Sequence, residues 1–562
     1  MEDSYDAIVV GSGISGGWAA KELTERGLRV LMLDRGRMVR HGEDYPTEHQ
    51  PSYEMKFRGL GDNRKYHMEY PGRPGSGNEA SGHFFANTRD HPYTTAPDRP
   101  FKWTRGNQVG GKSLMWARQS YRYAPINFEE NALDGHGVDW PVRYSDIEPW
   151  YDRVEQFIGI SGSVLDYPTA PGGKYFQPPM PMNPIERDMQ ARMSKAFPDR
   201  PLTMARLANL TQAIGDDRQP CHYCGPCDRG CSTGSYFSTQ SSTLPAAMAT
   251  KRLTVMADSI ATRILTNETG ERATGVEVMD AKTRQKRTYH AKMVFVCASA
   301  LESVRLLLLS ANEKHPKGLG NSTGLVGKYI MDHLLSDFAT ATTPGPQMPH
   351  ITGGRPGALW MPRFRNIRGE ERQDYVRGFQ CNAVVFNDDW QRGARTPGIG
   401  VGLKNQLRQT GDWHVLIGAL CEMLPSLSNQ VTLDPKVRDA WDSPVLRMDV
   451  TFGPNELAMS KAAGDDMVEM MKALGYQGVM RIGGEKPVPG SQIHEMGGAV
   501  MGRDKRTSVL DAHNRSHDIP NLFVTDGAAM SSSSQSNPSI TYMAFTARAA
   551  AFAAGEFKAG RL

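Results

Sequence analysis

Ala7-Ile8-Val9-Val10-Gly11-Ser12-Gly13-Ile14-Ser15-Gly16, near the start of the chain, is the stretch on which the fold turns. Four apolar residues run straight into Gly-x-Gly-x-x-Gly. The apolar run predicts a buried parallel strand over 7–10. Residues 18–26 then read as a helix ended by Gly27. Residues 28–33 read as a second strand, with Asp34 at its end. Strand, glycine turn, helix, strand and acid is the context a dinucleotide-binding fingerprint requires. There Gly11 permits the tight turn, Gly13 lets a pyrophosphate approach the backbone, and Gly16 lets helix and strand pack closely. Asp34 stands where a carboxylate accepts hydrogen bonds from ribose hydroxyls. A glycine-rich turn without a ligand is the bland alternative, and the spacing and context outweigh it. The motif alone does not separate a flavin from a nicotinamide dinucleotide.

At 562 residues the chain exceeds what one hydrophobic core supports, so two domains are expected. A formal net charge of +4, without a dense basic run, argues against nucleic acid as a partner. The sequence has no uninterrupted apolar stretch long enough to span a bilayer. Met1-Glu2-Asp3-Ser4-Tyr5 has neither a basic leader nor an apolar core, so a secretion signal in this chain is not expected.

A second motif lies in Cys221-His-Tyr-Cys224-Gly-Pro-Cys227-Asp-Arg-Gly-Cys231, spaced C-x2-C-x2-C-x3-C. That is the ligand run of bacterial ferredoxins, here without the usual following proline. Tetrahedral zinc sites prefer two separated pairs of ligands. Four cysteines in one short loop suit an iron–sulfur cluster better, with zinc or free thiols as the alternatives. Cys297, Cys381 and Cys421 are scattered among apolar residues and read as buried small side chains.

Further motifs follow in a fixed order: Arg105-Gly-Asn-Gln-Val-Gly110-Gly111-Lys-Ser113-Leu-Met115-Trp116, Trp140-Pro-Val-Arg-Tyr, Ala298-Ser-Ala-Leu-Glu-Ser, Gly320 to Asp332-His333, His494-Glu-Met-Gly-Gly-Ala-Val-Met-Gly502, Asp526-Gly527 and Asn537-Pro538. In this order they resemble the glucose–methanol–choline (GMC) flavoprotein oxidoreductases over nearly the whole chain. The cysteine run is similar to that of a bacterial subgroup with the large subunits of gluconate 2-dehydrogenase and FAD-dependent glucose dehydrogenase, and with glucoside 3-dehydrogenases.

The resemblance implies noncovalent FAD, because Met115 stands where some relatives attach the flavin through a histidine. It implies His494 as the base for the substrate hydroxyl proton, with a hydride path to flavin N5, and Asn537 as the holder of the substrate oxygen. It also implies a cofactor lining of Gly11, Gly13, Gly16, Asp34, Arg35, Gly110, Gly111, Ser113, Trp116, Ala261, Asp526, Gly527, Asn537 and Pro538. Gly498 replaces the threonine common after the base, which predicts a looser turn there. Asn537-Pro538 predicts an N-cap and first position of a buried helix aimed at the flavin's N1–C2 carbonyl edge. Cys221, Cys227 and Cys231 match the three ligands of the glucose dehydrogenase pattern and Cys224 departs from it. A 3Fe-4S and a 4Fe-4S cluster therefore both stay open.

The expected fold is α/β and α+β, a Rossmann-like FAD domain from 1–135, 240–335 and 495–562. A discontinuous substrate domain with an antiparallel sheet would come from 136–239, which carries the cysteine segment, and 336–494. The polar stretch 41–102 is unusually long for a connection and suggests a lid or a partner surface. The expected activity is oxidation of a sugar or glycoside hydroxyl, with C3 of a glucoside as first choice. Electrons would leave through the cluster to a cytochrome or quinone. A free-aldose (C1) or gluconate dehydrogenase, a GMC oxidase using oxygen, and a non-catalytic relay subunit are the alternatives. The subgroup implies a small subunit carrying the export signal, and so a periplasmic or membrane-associated location, with a cytoplasmic one as the alternative.

Overall fold

The structure, a computed structural model, describes residues 4–56, 79–346, 354–367, 374–388, 392–393, 396–409, 411–483 and 486–562. The first strand, Ser4–Val10, is buried at its apolar end and lies between two parallel neighbours, Val30–Leu33 and Lys286–Val296. Leu253–Met256 extends the sheet beyond Val30–Leu33, and Leu522–Val524 joins Lys286–Val296, both in parallel. Ala273–Asp280 and Ser259–Thr266 complete it as antiparallel strands. A seven-stranded sheet thus draws strands from the beginning, middle and end of the chain.

The helix of the fingerprint is Ile14–Glu25, starting earlier than the apolar pattern suggested because the glycine turn is itself the first turn. It packs against the C-terminal helix Ser539–Lys558, whose inward face is largely alanine. Small residues on both helices, Ala19 and Ala20 with Ala549, Ala550 and Ala553, share one core and bring the backbones together. Helix Tyr144–Ile158 packs on the other side of the C-terminal helix and shares its core. It therefore packs with the dinucleotide side.

A second sheet of six strands is antiparallel throughout, in the order Gln477–Ile482, Phe338–Thr343, Trp413–Cys421, Phe379–Asn387, Leu359–Met361, Thr203–Met204. One face packs on helix Pro454–Ala473 through Val415, Ile417, Met467 and Met470. A small third sheet pairs Gln430–Arg438 and Pro444–Asp449 with Thr94–Thr95. Part of the stretch expected as a lid or partner surface, 57–78, lies outside the described residues. Its leading part, 41–56, packs on the cysteine loop, as described below.

A Cβ on Gly16 would sit 1.9 Å from the Gly11 carbonyl oxygen, whereas one on Gly555 meets nothing within 4 Å. Gly16→Ala is therefore expected to destabilise the protein by about 1–3 kcal/mol through overpacking. Gly555→Ala, in the exposed last turn of the helix, should stabilise it by about 0.5 kcal/mol. Denaturant unfolding of both variants checks the contrast.

Candidate active site

One cavity of about 540 Å³ joins the fingerprint to His494. Gly11, Gly13, Asp34, Arg35 and Ala261 line one end, and Gly111, Ser113, Trp116, Asp526 and Gly527 line the middle. His494, Asn537 and Pro538 complete it. Gly16 and Gly110 stand behind the wall. Gly110 donates its N–H to Ser12 Oγ (2.8 Å) and has φ +95°, while Ser113 Oγ donates to the Gly110 carbonyl (2.6 Å). Asp34 accepts from Gly36 N–H (2.8 Å) and from the Ser12 backbone (3.2 Å) and hydroxyl, and burial raises its carboxyl to about 6. Arg35 is held by Glu302 (3.2 Å) and by His91 Nδ1 (2.9 Å). Trp116 is a wall, pinned by its indole N–H to the Phe237 carbonyl (2.9 Å).

These residues fit a bound dinucleotide. A Cβ on Gly13 would project into open space, so the backbone there is bare to the cavity. The first turn of the 20-residue C-terminal helix, Ser539 and Tyr542, also lines the cavity and presents its N-terminal dipole to it. The buried Tyr542 hydroxyl has no hydrogen-bond partner among the described residues. FAD, when bound, would supply the acceptor for the substrate's electron pair.

At the far end two hydrogen-bond chains converge on His494. Trp360 Nε1 can only donate, and it donates to Gln380 Oε1 (3.0 Å). Gln380 Nε2 therefore donates to Asn537 Oδ1 (3.0 Å), and Asn537 Nδ2 faces His494 Nε2 (3.3 Å) as a donor. From the other side, the Ser534 carbonyl can only accept, so His333 donates to it through Nε2 (2.7 Å). His333 Nδ1 is then an acceptor, and His494 Nδ1 donates to it (3.0 Å). Both chains assign the same state, a neutral His494 with its proton on Nδ1 and a lone pair on Nε2. Burial, the neighbouring His333 and the Lys112 charge lower the pKa of His494 well below the ordinary histidine value, and burial takes His333 to about 4.

The loop carrying the base is fixed by one carboxylate. Asp332 accepts from the backbone N–H groups of Gly490 (2.8 Å), Gln492 (3.2 Å) and His494 (3.1 Å). Burial and the charge of Glu495 raise its carboxyl to about 7. Ile493, next to the base, has φ +64°, a left-handed conformation unusual for a β-branched residue, and Ser534 has φ +56°. Such strain gathers where surrounding structure fixes a functional geometry. Lys112 and Glu495 form an ion pair at 2.7 Å beside the base.

Two expectations are corrected. Asn537 does not cap the C-terminal helix, which starts at Ser539 with Pro538 before it, because the Asn537 amide is committed to Gln380 and His494. The turn after the base is tight, not loose: a Cβ on Gly498 would lie 2.5 Å from a Val304 methyl, and one on Gly497 1.9 Å from the Tyr329 carbonyl oxygen. Sequence reasoning also left His333, Asp332, Gln380 and Trp360 without roles. The first two stood inside a quoted motif; Gln380 and Trp360 are brought in by strand pairing alone.

The cysteine loop borders the same cavity, which Asp228 lines. Cys221, Cys224, Cys227 and Cys231 are half-buried free thiols. They lie within electrostatic reach of one another, since burial and then the other three cysteines raise Cys224 to about 11. Among the described residues no three of these sulfurs lie within 4.8 Å of one another. Segment 41–56 clasps the loop: buried Glu48 accepts from Ser232 N–H (2.6 Å), and Arg229 donates to the Gln50 carbonyl (3.1 Å). Arg118 donates to the carbonyls of both Trp116 and Cys227, the latter at 2.9 Å.

A dinucleotide cradle joined to a neutral histidine and an asparagine amide, beneath an antiparallel sheet, defines a flavoprotein alcohol oxidoreductase. The family signature of the GMC oxidoreductases matches residues 5–335, and its C-terminal counterpart matches 425–546. The chain belongs to the GMC oxidoreductase family, whose members bind FAD. It is 28% identical to a 2-methyl-1,2-propanediol dehydrogenase of Mycolicibacterium austroafricanum, over 99% of this chain and 96% of the relative. It is likewise 28% identical to the fructose dehydrogenase large subunit of Gluconobacter japonicus, over 99% of both chains. Among solved structures, a formate oxidase superposes with a TM-score of 0.66 at 14% identity over 99% of both chains, a likeness of fold.

His333→Phe, which removes the acceptor for His494 Nδ1–H, is expected to slow anaerobic flavin reduction by about tenfold or more while leaving FAD bound. His333→Gln should restore part of the rate. Because the folded protein holds His494 neutral, its proton-accepting form stays full as pH falls from about 8 to about 6. The reduction rate is expected to show no falling limb near the ordinary histidine pKa in that window. Stopped-flow reduction across the range checks this.

Proposed function

We propose that the protein is an FAD-dependent dehydrogenase that oxidises a ring hydroxyl of a sugar or glycoside and sends the electrons to an external acceptor. The observation that carries the reading is the pair of hydrogen-bond chains that leave a lone pair on His494 Nε2 beside the Asn537 amide donor, in the cavity of the dinucleotide cradle. A substrate hydroxyl placed between them gives its proton to Nε2. The developing oxygen charge is met by Asn537 Nδ2–H, and the carbon-bound hydrogen leaves with its electron pair.

A carbohydrate substrate is supported by the named activity of the fructose dehydrogenase relative. Both relatives' named compounds carry hydroxyls on adjacent carbons. C3 of a glucoside is the first choice among ring positions. The four-cysteine loop beside the cavity supports a dehydrogenase over an oxidase. Its four-thiol donor set in one short loop suits an iron–sulfur cluster, which would supply a one-electron outlet toward a cytochrome or quinone. The relative named as a large subunit supports a partner subunit here and, through it, a periplasmic or membrane-associated site.

Anaerobic flavin bleaching against free sugars, glycosides and diols, with product identification, tests the substrate. A 3-keto glycoside is expected. Lactones from free aldoses would move the reaction to the anomeric carbon, and rapid peroxide formation in air would make the protein an oxidase. His494→Ala should slow bleaching by about 100-fold or more with FAD retained.

The purified protein should contain about three or four irons per chain with acid-labile sulfide. Cys227→Ser should spare bleaching yet sharply slow reduction of a cytochrome. Stoichiometric zinc without iron would remove the cluster from the proposal.

A further inference from the structure

We infer that Lys112 is the counter-charge for the electron pair taken up in the cavity, and that Glu495 sets how much of that charge is felt there. The inference rests on the reading of His494 as the place where an alcohol is oxidised, and adds the residue that tunes the electron acceptor. Lys112 stands between the two ends of the site. Its neighbour Gly111 abuts the fingerprint, since a Cβ on Gly111 would lie 3.3 Å from Gly13 Cα. Its ammonium reaches Glu495 Oε2, 2.7 Å away, on the residue that follows the base. Lys112 and Glu495 both line the cavity, together with Gly111, Ser113 and Gly527. A dinucleotide that starts on Gly13 and presents its reacting ring to a substrate held at His494 passes this point.

The surroundings of Lys112 are rich in acid. Glu495, Asp526 and Asp332 are all buried. Burial raises Asp526 to about 6, with the Lys112 charge acting against the rise, and burial and the Glu495 charge raise Asp332 to about 7. The Lys112 charge also acts on His494. One ammonium is thus within electrostatic reach of the base and of two of the three carboxyls. Arg118, a second cation lining the cavity, is turned to the carbonyls of Trp116 and Cys227. Adding negative charge to a buried site among carboxylates is unfavourable, and a fixed cation beside it offsets the penalty.

The ion pair does not cancel itself at the cavity, because its two members are not equally placed. The Glu495 side chain is 2% exposed and the Lys112 side chain 25%. The ammonium is therefore the member that faces the open space. An ammonium carries three donors. One goes to Glu495, and among the described residues the other two meet no acceptor. Glu495 Oε1 is buried with no hydrogen-bond partner among the described residues, so Lys112 is what holds this carboxylate in its charged form. Glutamine in its place would remove one negative charge and keep the shape.

The test needs no substrate. Each holoenzyme is reduced anaerobically in equilibrium with a reference redox dye, and the flavin absorbance gives the equilibrium constant for its reduction. Glu495→Gln leaves Lys112 unopposed and is expected to shift the constant toward reduced flavin by about tenfold or more, the scale of one charge close to the ring at an effective dielectric constant of about 20. Adding Lys112→Met to Glu495→Gln should reverse the shift by about tenfold or more, without leaving a buried carboxylate unpaired. Lys112→Arg alone should stay within about threefold of the unmodified protein. FAD that stays with the protein on gel filtration shows that each variant is folded. If the double variant loses FAD, Lys112→Gln in the same background takes its place. An unchanged constant in Glu495→Gln, or the same constant in Glu495→Gln and in the double variant, overturns the inference. Opposite signs from two neighbouring residues are what a charge effect gives and a packing defect does not. If no alcohol bleaches the flavin yet the two opposite shifts appear, the alcohol-oxidising reading falls and Lys112 keeps this role.

Discussion

The lone pair on His494 Nε2 is the constraint around which the site is built. Indole N–H and backbone carbonyl are groups with one hydrogen-bonding role each, and each ends a chain that leads to this imidazole. Every intermediate amide and ring must then take one orientation. A general base assigned in this way needs no titration near neutrality, because burial keeps it unprotonated and the neighbouring histidine fixes which nitrogen is free. Asp332 places the loop and the Ile493 backbone bears the strain, so geometry and protonation state are set by different residues.

The same cavity touches four separated parts of the chain. The fingerprint and the C-terminal helix supply the cradle, the loop at 490–495 supplies the base, and the cysteine loop forms a flank. Arg118 ties the Trp116 wall to the Cys227 backbone, so the flavin-side wall and the cysteine loop are joined by one guanidinium. Segment 41–56, the start of the long polar stretch, holds that loop from outside through Glu48.

Much of this was legible in the residues. Gly11, Gly13, Gly16 and Asp34 announce the dinucleotide site because backbone conformation and close approach restrict those positions to particular residue types. His494 and Asn537 were found by motif order, and the structure brings them within 3.3 Å. Their partners were not found, because Gln380 reaches Asn537 only through the antiparallel register of a sheet assembled from separated segments. The misplaced helix cap has a related cause. Asn before Pro is a good local start signal, and here a tertiary hydrogen bond takes the same amide. The tight turn at Gly497 and Gly498 was misjudged because the crowding comes from Tyr329 and Val304, more than a hundred residues away.

The C-terminal helix closes the dinucleotide half from the other end of the chain. Ser539–Lys558 covers the helix that begins at Ile14, and Leu522–Val524 fills the sheet beside Lys286–Val296. Contacts of such long sequence separation form only after more than five hundred residues have been made. During synthesis the first strand and its glycine turn must therefore wait, with apolar surface uncovered, until residues 522–558 have left the ribosome. Cofactor capture becomes a late event in biogenesis, and a chain cut within Ser539–Lys558 would be a client for chaperones, not a slightly weakened enzyme.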